Sequence, residues 1–197
     1  MASDLTRAVG IDIGGTGIKG GVVDLEAGEL VTDRIKVPTP PGAEPPAVLD
    51  AVKQVLETLE VADSDIPLGV AFPAIVKNGK TRSAANVSEK WIGFEAEKFF
   101  EDGLGRDIHF ANDADVAGVA EVRYGAAKGV EGLVLLTTLG TGIGGAVVLG
   151  RQLHRGRNGM AGEFGHMQVV PDGRDCECGG RGCWEQYSSG NALVRLA

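Results

Sequence analysis

The chain has 197 residues, 43% of them hydrophobic and 23% charged, with a formal net charge of −8 and an isoelectric point of about 4.9. This is the composition of an ordinary globular protein of one large domain or two small lobes, and its acidity argues against nucleic-acid binding as the main business of the chain. No apolar run approaches the roughly eighteen residues of a membrane helix, and Met1 to Arg7 lack the basic-then-apolar pattern of a secretion signal.

Residues 9–13 read as a buried strand, Gly14, Gly15, Thr16 and Gly17 as a turn, and Ile18–Asp24 as a second strand. A third strand is expected near residues 29–37. Pro38, Pro40, Pro41, Pro45 and Pro46 then mark a loop into a helix. Val48, Ala51, Val52, Val55, Leu56 and Leu59 keep helical spacing and define one buried face. Leu68–Phe72 reads as a short strand, residues 94–103 as a helix, and residues 107–111 as a strand with Asn112 and Asp113 at its carboxyl end. A first α/β lobe, residues 1–111, closes there. A helix is expected from Asp113 to about Tyr124, capped by Asp113 or Asp115. The order then recurs: residues 133–138 extended, residues 139–145 a second glycine loop, residues 146–149 extended again. Residues 112–197 therefore form a second α/β lobe, and two such hairpins suggest lobes around a cleft.

The 31 glycines cluster, which implies sites lined by backbone. In Asp12-Ile13-Gly14-Gly15-Thr16-Gly17, consecutive amides without side chains can cradle anionic oxygens, Asp12 could hold a metal-bound water, and Lys19 could supply charge. A Gly-Gly turn alone is more often a tight hairpin. A second loop carrying Gly140, Thr141, Gly142 and Gly144 strengthens the phosphate reading. Neither loop leads into a helix as a dinucleotide fingerprint does, nor ends in the Gly-Lys-Ser/Thr of a P-loop.

Asn112-Asp113, at a strand end opening a helix, offers a carboxylate that either takes a hydroxyl proton in phosphoryl transfer or caps the helix. Asn86, Asn112, Glu163, His166 and Glu185 lie in short Gly-rich or strand-end segments suited to a polyhydroxylated ligand. Cys176, Cys178 and Cys183 fall within one Gly-rich loop, and His166 precedes them. Three thiolates and an imidazole fill the coordination sphere of structural Zn²⁺. Free thiols, or one disulfide with a cysteine left over, are the alternatives. Cysteine used in this way points to a cytoplasmic protein. An imidazole on the metal through one nitrogen can orient a neighbour with the other, so zinc would brace a sugar pocket. Arg151, His154, Arg155 and Arg157 form a basic stretch that reads as a solvated loop or as a track for polyphosphate.

Taken together, Asp12 to Thr16, Asn112-Asp113, residues 139–145, Glu163-Phe164-Gly165-His166 and the string from Cys176 to Glu185 resemble the ROK family of sugar kinases over nearly the whole chain. The resemblance implies an actin-like, two-lobed α/β fold and glucokinase activity: phosphoryl transfer from ATP or polyphosphate, with Mg²⁺, to the 6-hydroxyl of glucose. It implies Asp113 as base, glucose contacts from Asn86, Asn112, Asp113, Glu163, His166 and Glu185, and phosphate at both loops. Residues 1–145, notably residues 81–87 and 90–93, look most like polyphosphate-dependent members, whereas residues 154–197 look like ATP-using actinobacterial members. Against the family pattern the second lobe is short, ending in a helix over residues 191–196. A sheet near Leu133 would then keep apolar area uncovered, so a dimer or a fragment is expected. A sugar-binding chain without catalysis is the alternative. A repressor is disfavoured, since the first loop starts at Asp12 with no helix-turn-helix ahead of it.

Overall fold

The computed structural model describes residues 6–84 and 86–197. Ala85, within the 81–87 segment, and residues 1–5, within the segment read for a secretion signal, lie outside the described residues. The chain separates into two compact units, one ending at Asp113 and one comprising Ala114–Ala197. Among the described residues no helix is long and apolar enough to cross a membrane.

The first unit is built on β1 (Arg7–Ile13) and β2 (Ile18–Asp24), which pair antiparallel across the first glycine loop with Asp12 opposite Lys19. The expected third strand is two short ones, β3 (Glu29–Leu30) and β4 (Ile35–Val37), each paired with β2. Between them the Thr32 hydroxyl takes the Val22 N–H, so a side chain replaces a ladder carbonyl and the strand breaks. Helix α1 (Pro45–Thr58) starts on a proline, which costs no bond in a first turn, and buries Val48, Leu49, Val52, Val55 and Leu56. A methyl on Gly20 would sit 2.5 Å from Val55 Cγ1, so the glycine lets α1 seat on the sheet.

Strand β5 (Leu68–Phe72) lies parallel to β1, with Asp12 beside Ala71. A small ribbon, β6 (Val76–Lys77) and β7 (Lys80–Thr81), leads to a 3₁₀ turn at Glu89–Trp91. Helix α2 (Ala96–Leu104) is displaced a residue or two from its expected bounds and ends at Gly105, whose left-handed φ of 67° closes the helix at a conformation glycine adopts without strain. Strand β8 (His109–Asn112) adds parallel to β5, with Phe72 beside Asn112, giving the order β3-β2-β1-β5-β8. The core centres on Trp91, fully buried and stacked on Phe100 at 5.8 Å, with Phe72 at 4.6 Å. Its indole N–H donates to the Ala43 carbonyl, so the one polar atom of the ring is satisfied. Burying such rings stabilises by roughly 2–3 kcal/mol each and anchors the 3₁₀ turn at Glu89–Trp91 on β5 through Phe72.

The second unit has α3 (Asp113–Arg123, its first residue belonging to the first unit) packed on a hairpin of β9 (Leu133–Leu139) and β10 (Ile143–Leu149). A methyl on Gly118 would lie 2.7 Å from the Ala146 Cβ, which sets how closely helix and hairpin approach. Strand β11 (Gln152–Leu153) completes the order β11-β10-β9, so β9 ends the sheet. Leu133, Leu135 and Leu139 share one face of β9 and are 58–70% exposed. A 3₁₀ turn at Phe164–His166, the cysteine loop, α4 (Glu185–Ser188) and α5 (Gly190–Leu196) follow.

Candidate functional site

In the first unit the parallel strands β1, β5 and β8 put Asp12, Ala71 and Ala111 in one row, so the first glycine loop and Asn112-Asp113 emerge at the same carboxyl edge. Two strand spacings separate them, about 10 Å. The loop closes through Gly14 N–H to the Gly17 carbonyl at 3.1 Å, leaving Gly15 and Thr16 exposed at its tip. Lys19 Nζ lies 2.6 Å from Asp12 Oδ2, a pair that puts cation and carboxylate together at the loop base. Asn86, at φ 59°, presses on this loop: a methyl on Gly15 would meet the Asn86 Cβ at 2.7 Å. At the strand end, Asn112 Nδ2 donates to the Ala74 carbonyl at 3.0 Å and to Asp113 Oδ1 at 3.1 Å, which fixes the carboxylate's orientation.

In the second unit, ligand atoms of His166, Cys176, Cys178 and Cys183 all lie within 4.8 Å of one another. Cys178 Sγ and Cys183 Sγ are 3.7 Å apart, and Cys176 Sγ is 3.5 Å from His166 Nδ1. A tetrahedron with metal–sulfur bonds of about 2.3 Å has edges of about 3.8 Å, so the set fits one ion such as Zn²⁺. Burial, then the neighbouring Cys178 and Cys176 thiols, push the Cys183 thiol up to about 12. Burial also pushes at Cys178, but the Gly180 N–H and the adjacent thiols outweigh it and hold Cys178 below the usual thiol range. Crowded thiols resist ionising together, and a bound cation relieves that repulsion.

His166 turns its Nδ1 to the sulfurs, while its Nε2 is 3.9 Å from Glu163 Oε2. Glu185 meets His166 on the sulfur-facing side, with Oε1 3.8 Å from both His166 Nδ1 and Cys176 Sγ. The structure thus gathers Glu163, His166, Glu185 and the cysteines in one cluster. Glu185 Oε2 also accepts the Ile143 N–H at 3.1 Å, tying that cluster to the loop carrying Gly140, Thr141, Gly142 and Gly144. Sequence reasoning missed this tie; its one signal was Gly142, where a methyl would stand 2.7 Å from Glu185 Oε2.

Asp115 has a partner beyond the helix start. It is 7% exposed inside the first turn of α3, and its Oδ2 accepts from Arg155 Nε at 3.0 Å. Burial pushes its carboxyl above the usual range, opposed by the Arg155 charge. Arg155, one of the four basic residues of the 151–157 stretch, is therefore engaged with a carboxylate.

Glycine-loop hairpins, a strand-end carboxylate and parallel strands behind it define a mixed α/β protein of the actin-like sugar-kinase fold, and solved structures agree. The chain is 41% identical to an inorganic polyphosphate/ATP-glucomannokinase from Arthrobacter sp., with a TM-score of 0.84 over 97% of this chain and 71% of that one. It is 40% identical to a ROK family glucokinase from Streptomyces griseus solved with glucose and AMPPNP, with a TM-score of 0.84 over 96% of this chain and 59% of that one. The chain belongs to the ROK family, whose family model matches residues 8–197. Among curated relatives it is 46% identical to a polyphosphate glucokinase of Mycobacterium leprae over 87% of this chain and 50% of that protein. It is 40% identical to a glucokinase of Streptomyces coelicolor over 96% and 58% respectively. The chain therefore spans between half and three fifths of the length of these two curated relatives.

Proposed function

We propose that the protein acts as a glucokinase, moving a phosphoryl group from ATP or polyphosphate to the 6-hydroxyl of glucose. The proton of that hydroxyl passes to Asp113, its oxygen forms the new bond to phosphorus, and the bond from that phosphorus to the donor's bridging oxygen breaks. ADP, or a polyphosphate one unit shorter, leaves. The observation that carries this reading is the Asn112 amide holding Asp113 Oδ1 at the sheet edge where the Asp12 loop emerges.

In this reading Asn86, Asn112, Asp113, Glu163, His166 and Glu185 bind glucose, and the loops of Gly14 to Gly17 and Gly140 to Gly144, with Lys19, bind donor phosphates. Mg²⁺, when bound, neutralises donor charge, and Asp12 would hold it through a water, since its Oδ2 already pairs with Lys19. Zn²⁺ would be structural, held by His166, Cys176, Cys178 and Cys183. Both donor types are supported by relatives, one named a polyphosphate glucokinase and one an inorganic polyphosphate/ATP-glucomannokinase. Self-association as a dimer is the reading that the leucines exposed along β9 support. A cytoplasmic location suits thiols that must stay reduced.

A coupled glucose-6-phosphate assay run with ATP and with polyphosphate tests the reading. Asp113→Asn should lower kcat by roughly 10²–10⁴-fold with either donor while glucose still binds. Unchanged turnover would remove Asp113 from its role, and glucose binding without turnover in the unaltered chain would return the non-catalytic alternative.

A further inference from the structure

Ile143 is the first residue of β10, where the strand leaves the turn of the second glycine loop, and its backbone meets the cysteine–histidine cluster on both sides. Its N–H donates to Glu185 Oε2 at 3.1 Å, and its carbonyl lies where a methyl on Gly165, the neighbour of His166, would meet it at 2.2 Å. The other carboxylate oxygen, Glu185 Oε1, stands 3.8 Å from His166 Nδ1 and from Cys176 Sγ. One side chain, only 18% exposed, thus spans metal ligands at one end and the loop at the other. The far side of the loop is held by backbone alone: Gly190 N–H donates to the Gly140 carbonyl at 2.7 Å and Asn191 N–H to the Thr141 carbonyl at 3.3 Å.

We propose that Glu185 is a positioning residue through which occupancy of the His166, Cys176, Cys178 and Cys183 site sets the conformation of the glycine turn 140–142 and its junction with β10 at Ile143. A cation among the sulfurs draws in His166 and Cys176 and thereby fixes what Glu185 Oε1 faces, so Oε2 is presented to Ile143 in one place. Without the cation, the thiols and imidazole lose their common centre, the carboxylate turns, and the loop loses its side-chain anchor while β10 keeps its ladder. This rests on the metal reading of the cluster and needs no particular sugar or donor.

Amide hydrogen exchange followed by NMR on zinc-loaded and zinc-stripped protein tests it, with zinc content measured in parallel. Stripping should speed exchange at Ile143 at least tenfold while Ala146 and Val148, within β10, stay protected. Glu185→Ala should show the fast Ile143 rate with zinc still bound, and stripping should add nothing further. Glu185→Gln, which keeps an acceptor oxygen, should restore part of the protection. Gly142→Ala, whose added methyl displaces Oε2, should behave like Glu185→Ala. Slow Ile143 exchange in zinc-loaded Glu185→Ala overturns the proposal, as does loss of protection across all of β10 on stripping. A chain that takes up no zinc overturns the metal reading itself, and does so through the content measurement alone.

Discussion

In the unit ending at Asp113, a helix face and the sheet close on Trp91, Phe72 and Phe100, all sealed from solvent, and the contiguous apolar core of the described residues lies wholly within it. In Ala114–Ala197 the buried apolar residues are mostly small, such as Ala114, Ala146 and Ala192, while Leu133, Leu135, Leu139 and Leu149 are 58–70% exposed. Apart from Leu30, Val31 and Ile92, every exposed large hydrophobic residue among the described ones lies in this second unit. Burial suffices to hold the first unit. On the proposed reading the second draws on contacts of another kind: coordination at the cysteine loop, and cover for a sheet face.

Removing a metal ligand should sharpen that contrast most. Cys183→Ser, or a chelator, should cost the second unit roughly 3 kcal/mol or more while the first unit's melting stays put. The tryptophans report on this separately, since Trp91 lies in the first unit and Trp184 adjoins Cys183 in the second. Coincident loss of both signals would break the comparison. A smaller effect is expected at the uncovered face, where Leu135→Lys should weaken self-association about tenfold by light scattering, near the value of one buried leucine. A chain already monomeric at high concentration would show that the face needs no second copy.

The smallest effect concerns pH. Burial raises the Asp115 carboxyl above its unfolded value, so its contribution to stability is full below the unfolded value of 3.8 and is lost as pH rises through the folded one. Asp115→Asn should therefore gain on the unaltered chain as pH rises across that window, read from denaturant midpoints of the second unit. A difference that stays flat from pH 3 to 7 would show that Arg155 cancels the burial cost entirely.

Elements whose apolar pattern is complete within a few residues were legible from sequence: β2, β5 and the buried face of α1 stand where their residues predict. So was the gathering of His166, Cys176, Cys178 and Cys183 into one group able to hold an ion, because three cysteines and a histidine announce themselves by chemistry and spacing. The break at Thr32 was not, since it depends on a hydroxyl reaching the Val22 N–H across the sheet. Nor was the ion pair of Asp115, whose helix-start position suggests a cap but gives no sign of Arg155, which lies far along the chain. Glu185 was visible as a polar residue, yet its hold on Ile143 exists only once the hairpin and the cysteine loop have met.

The contact between Gly15 and Asn86 has a consequence for exchanging parts between relatives. Residue 15 has no space for even one added carbon while residue 86 keeps its left-handed backbone. The two positions therefore fit as one joint: a graft that transplants the amino-terminal turn from a relative must bring a matching 86 segment with it, or the chimera starts out misfitted at its own seam.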